Sequence, residues 1–72
     1  KRQVLEFVRR HAGLSGIVYC LSRRKTEETA EFLRAAGVRA RAYHAGMDKE
    51  EREVNQNAFM TEPGLVMVAT IA

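Results

Sequence analysis

Three short segments of this chain carry groups suited to holding an anion. The first is Ser22–Arg23–Arg24–Lys25, a hydroxyl followed by three consecutive cations. It follows the apolar run Ile17–Leu21, which reads as a buried strand, and Ser22 reads as the N-cap of the next helix. A capped helix start presents backbone N–H groups and the positive end of a dipole. The second segment is His44–Ala45–Gly46, where a glycine lets backbone approach closely. The third is Ala69–Thr70–Ile71, which places a hydroxyl at the end of an apolar run. These groups suit phosphate oxygens. They do not suit general acid–base chemistry, because no carboxylate pair or activated nucleophile accompanies them.

Each residue also has a purely structural reading. Ser22 can simply cap a helix, and Arg23, Arg24 and Lys25 can form a solvated turn. His44 can be a ring packed at a strand end, Gly46 can serve only its turn, and Thr70 is a common strand residue. Cys20 invites comparison with a phosphatase loop, in which an arginine stands six positions after the cysteine. That position is Thr26, so the pattern fails, and Cys20 lies inside the strand as a buried, inert thiol. The sequence contains no Gly-x-x-x-x-Gly-Lys-[Ser/Thr] loop and no acidic metal-binding motif after an apolar strand. It cannot by itself bind and split a nucleoside triphosphate in the P-loop manner.

The elements that must position these segments follow from periodicity. Lys1–Ala12 reads as a helix, with Val4, Leu5 and Val8 on one face and Gly13 as its stop. Arg23–Ala36 reads as a second helix. Its stripe is Thr26, Ala30 and Leu33, widened by Thr29, Phe32 and Ala36, with Glu27, Glu28 and Glu31 outside and Gly37 at the end. Val38–Tyr43 alternates and reads as a strand with one face partly wet, and His44–Met47 is a turn. A third helix begins at Asp48, with Glu51 as capping-box partner, and runs to about Met60. Its pattern is imperfect, because Asn55 stands where an apolar residue should pair with Phe59. Leu65–Ile71 reads as a strand buried on both faces. Each crossover holds a helix, so the strands should be parallel, and their carboxyl ends should bring the three segments to one edge.

Seventy-two residues allow at most one small domain. The single cysteine excludes an internal disulfide, no Cys/His cluster has metal-ligand spacing, and no stretch reads as a membrane span or signal peptide. These features point to a reduced, intracellular setting. The net charge of +3 is unevenly placed: residues 1–25 hold seven cations against one acid, and residues 26–72 hold five against eight. A basic end suits a polyanion partner and equally a solvated face.

Ser15–Lys25, Ala42–Met47 and Val68–Ala72 resemble the second helicase lobe of RecQ-family DNA helicases. Glu51–Arg52, Gln56 and Phe59 match the helix that follows the family's Tyr-His-Ala-Gly segment. The likeness covers nearly the whole chain. It implies a three-layer α/β fold, RecA-like with a P-loop NTPase-type parallel sheet, in which residues 1–72 form an incomplete C-terminal lobe. The family is an ATP-driven, 3′-to-5′ DNA-unwinding motor. Its first lobe carries the phosphate loop and acidic box, and its second closes on ATP and grips the tracking strand. The resemblance thus implies ATP and Mg2+ for the full-length protein, none for this fragment, and an inactive fragment.

Carried over by residue, Ser22 and Arg23 match the family's motif IV and would contact phosphates of single-stranded DNA, and Arg24, the next cation of that segment, is a further nucleic-acid-binding candidate. His44, Ala45 and Gly46 would present backbone or side-chain donors to the same strand. Thr70, in the start of motif V, would hold a neighbouring phosphate. The implied partners are single-stranded or partly duplex DNA and the first lobe of the same chain, with no membrane. The implied location is cytoplasm, nucleoid or nucleus. Two other classes stand beside this reading: a non-enzymatic RecA-like nucleic-acid-binding module, and a small phosphate-processing enzyme using Cys20.

Overall fold

The computed structural model describes residues 2–11 and 13–71. Its elements are α1 (Arg2–Arg10), β1 (Gly16–Tyr19), α2 (Arg23–Ala35), β2 (Ala40–Tyr43), α3 (Lys49–Thr61) and β3 (Val66–Ala69). The ends of the expected first helix, Lys1 and Ala12, lie outside the described residues. The three strands form a parallel sheet in the order β1-β3-β2.

That order corrects one expectation. The run Ile17–Leu21 reads as a buried strand, yet β1 is an edge strand whose residues alternate between half-buried and exposed. Tyr19 is 69% exposed and Leu21 95%. The central position belongs to β3, where Val66, Met67 and Val68 are all buried, as its unbroken apolar run requires.

The crossovers fix the layers. From β1 the chain passes through α2 to the far edge, then returns through α3 to the gap between the two strands. Two right-handed connections running in opposite directions place their helices on opposite faces of the sheet. On one face Ala30 and Leu33 of α2 pack with Ala40, Ala42, Val66 and Val68, and Val4, Leu5 and Val8 of α1 lie against the same cluster. The other face receives α3.

Local chemistry explains the boundaries. Ser22 has extended backbone (φ −145°, ψ 162°), and its Oγ accepts the Lys25 N–H at 3.1 Å, so it is the N-cap of α2. Thr26, Thr29, Ala30 and Leu33 are its buried stripe. Gly37 follows the helix at φ +88°, where a side chain would be strained. Asp48 caps α3 through its backbone, its carbonyl accepting the Arg52 N–H at 3.0 Å. Its side chain makes no cap hydrogen bond, so the expected capping box is not formed.

The irregular Asn55 is explained by β2. The carbonyls of Arg39 and Tyr43 face β3, accepting from Val66 and Thr70, so those of Ala40 and Ala42 face outward. Asn55 Nδ2 donates to Ala42 O at 2.8 Å, and Arg34 Nη1 donates to Ala40 O at 3.1 Å. A buried polar side chain thus does what an apolar one there cannot: it satisfies a strand edge.

Candidate functional site

Strand register builds the site. Tyr19 and Tyr43 both lie opposite Ala69, so the three strands end at one level. The chains then leave side by side. Cys20 N–H donates to Ala69 O at 2.8 Å, and Thr70 N–H donates to Tyr43 O at 3.4 Å. Ser22, the His44–Gly46 loop and Thr70 therefore stand along a single rim of the sheet.

The first two segments touch. A Cβ built on Gly46 would lie 3.3 Å from Arg23 Cδ and 3.2 Å from both Cε1 and Nδ1 of His44. Gly46 does not have the positive φ of Gly13, Gly37 and Gly64, so space rather than backbone conformation requires the glycine. Its missing side chain lets the Arg23 stem lie across the loop.

The loop is a turn, with His44 O accepting the Met47 N–H at 3.2 Å. The imidazole of His44 is directed inward and is only 6% exposed. Its Nδ1 accepts the Gly46 N–H at 3.1 Å, and its Nε2 lies 2.7 Å from Oε2 of Glu27. Both ring nitrogens are engaged within the fold, which leaves Ala45 and Gly46 as the exposed part of the loop.

Electrostatics distinguishes the two helix starts near this rim. The first turn of α3 carries Glu50 and Glu51, which complement its dipole. The first turn of α2 carries no acid. Its residues Arg23, Arg24 and Lys25 are exposed cations at the positive end of the helix. Arg24 pairs with Glu28 at 3.2 Å across one helical turn. The positive end of a helix dipole with cations in its first turn favours negative charge.

Two residues that matter here carry no functional signal in the sequence. Glu27 reads as a solvated helix residue but binds His44, seventeen positions away. Asn55 reads as a packing defect but links α3 to β2. Both partnerships depend on which strand lies beside which helix, and helical periodicity carries no trace of that. Cys20 lies just past β1 and is half-buried, not buried inside the strand as expected, and its Sγ donates to Thr29 Oγ1 of α2 at 3.6 Å, a contact suited to a structural thiol.

Among the described residues no group of His, Cys, Asp or Glu comes together to hold a metal ion. The sequence carries no Gly-x-x-x-x-Gly-Lys-[Ser/Thr] phosphate loop. No helix among them is long and apolar enough to cross a membrane.

The family model for the helicase conserved C-terminal domain matches residues 1–72. The protein named ATP-dependent DNA helicase RecQ from Pasteurella multocida (strain Pm70) is 51% identical over 70 residues, 97% of this chain and 11% of that protein. Its namesake from Haemophilus influenzae gives the same identity and coverage. ATP-dependent DNA helicase hus2/rqh1 of Schizosaccharomyces pombe is 46% identical over 63 residues, 86% of this chain and 5% of that protein. The chain thus spans only 11% of the length of the bacterial relatives it matches. Likeness across almost every residue, carried on a parallel α/β sheet, settles the kinship: the chain belongs to the helicase conserved C-terminal domain family, as a RecQ-type C-terminal helicase region.

Proposed function

We propose that residues 1–72 are the strand-gripping part of the second motor lobe of an ATP-dependent DNA helicase. In this reading Ser22, Arg23 and Arg24, the backbone of Ala45 and Gly46, and Thr70 bind the sugar–phosphate backbone of single-stranded DNA. His44 holds the loop rather than the strand. The nucleotide and its Mg2+ belong to a lobe outside this chain. Contacts to phosphate rather than to base edges suit a motor that must advance along any sequence.

The observation that carries the reading is the meeting of Arg23 with Gly46 at the rim where Thr70 emerges. Segments some twenty residues apart supply hydroxyl, guanidinium and exposed backbone to one line, which a strand of phosphates can follow. The test is Thr70→Ala in the full-length protein. DNA should still stimulate ATP hydrolysis while unwinding per ATP falls. Unwinding that stays fully coupled to hydrolysis removes Thr70 from the grip.

A further inference from the structure

The inward ring of His44 makes a specific demand on its own protons. The Gly46 N–H is a donor, so Nδ1 must be bare to accept it at 3.1 Å. The single proton of a neutral ring then sits on Nε2 and faces the Glu27 carboxylate at 2.7 Å. A ring with its proton on Nδ1 would set two N–H groups against each other at Gly46 and leave Nε2 bare toward an acceptor. Both contacts fail together in that state.

We propose that Glu27 is a positioning residue: it fixes the tautomer of His44, and through it the shape of the Gly46 turn. Deepening the grip proposed above, and resting on it, this makes Glu27 the link by which α2 sets the rim. Only Oε2 of Glu27 reaches the ring, and its side chain stays largely in solvent. Its removal therefore costs little packing. The bond from Gly46 N–H to a side chain two residues back has the same geometry as an Asx turn, in which an Asn or Asp oxygen accepts that N–H. Histidine can imitate it only in one of its two neutral forms, and Glu27 selects that form.

The substitution series follows from these roles. In Glu27→Gln the amide oxygen still accepts from Nε2, so the clamp survives without charge. In Glu27→Ala only the Gly46 N–H still favours a bare Nδ1, so the selection of the tautomer weakens. In His44→Asn the side-chain oxygen accepts the Gly46 N–H without needing Glu27 at all. The measurement uses the full-length protein with 15N-labelled histidine, together with hydrogen exchange at Gly46 and the DNA concentration that half-saturates ATP hydrolysis. The parent and Glu27→Gln should show the Nε2-protonated pattern at His44. Glu27→Ala should mix the tautomers, speed Gly46 exchange about fivefold and raise the half-saturating DNA by a similar factor, as expected when one hydrogen bond is removed. Adding Glu27→Ala to His44→Asn should cost nothing further.

An Nδ1-protonated ring in the parent overturns the proposal. So does Glu27→Gln behaving as Glu27→Ala, or a Glu27→Ala loss that persists in the His44→Asn background. If the protein hydrolyses ATP with no response to DNA, the grip fails, while the ring resonances and Gly46 exchange still decide the clamp.

Discussion

The carboxamide nitrogen of Asn55 donates to the carbonyl of Ala42 across 2.8 Å, joining the helix on one face of the sheet to its outer strand. The same side chain accepts from Arg41 Nη1 at 3.2 Å, so both ends of the amide are occupied in a position only 6% exposed. One residue thereby satisfies a buried acceptor and orients a neighbouring cation.

Asn55→Leu, close in volume and apolar as the helical pattern asks, should lower stability. It strands the Ala42 carbonyl in a buried place, at a cost of about 1–3 kcal/mol. Denaturant unfolding of the full-length protein and its variant measures this. A variant as stable as the parent would show that water reaches that carbonyl.

Gly46→Ala places a methyl group 3.2 Å from the His44 ring and 3.3 Å from Arg23 Cδ. The arginine stem is flexible, but the ring is buried and held at both nitrogens, so the loop must give. The strain is on the order of 1 kcal/mol. DNA affinity, read by fluorescence anisotropy, should fall several-fold with the secondary structure intact. Unchanged affinity would mean that the approach of Arg23 to Gly46 does not shape the rim.

Ser22 combines two roles that substitution can separate. Ser22→Ala removes the cap on Lys25 N–H and should cost about 1 kcal/mol of stability, weakening DNA binding as well. Ser22→Asp keeps a capping oxygen and suits the helix dipole, so stability should return while a negative charge at the rim repels phosphate. Thermal unfolding and DNA affinity should therefore part company in the aspartate variant. If both recover together, Ser22 is a cap and nothing more.

Arg23→Ala should weaken binding equally for DNAs of different sequence. The slope of log affinity against log salt concentration should fall by about 0.7 for each single-strand phosphate that the protein no longer neutralises. A weakening that depends on base sequence would point to base reading instead.

Much of this fold is legible in the residues alone. Ser22 announces its helix by residue type and by the apolar run before it, and Gly37 ends the helix because the left-handed backbone there excludes most side chains. The near-continuous apolar run Leu65–Ile71 marks the buried central strand, which the structure confines to Val66–Ala69, and the alternation in β2 marks its two-sided character. Ile17–Leu21 misleads because an apolar strand looks the same whether one neighbour or two lie beside it. The difference lies in strand order, which no local pattern encodes. Glu27 and Asn55 are opaque for a related reason: each acts on a residue far away in sequence, across elements whose adjacency only the folded sheet creates. Asp48 has the right residue type for a capping box, yet its backbone alone begins α3.

The side chains that meet β2 along its outer margin have one more effect. Arg34 from one layer and Asn55 from the other occupy the acceptors at Ala40 and Ala42, so a foreign strand approaching there finds no partners for its amides. The two flanks of the sheet thus differ: the outward acceptors of β2 are engaged from both layers, while Tyr19 on β1 stands largely bare.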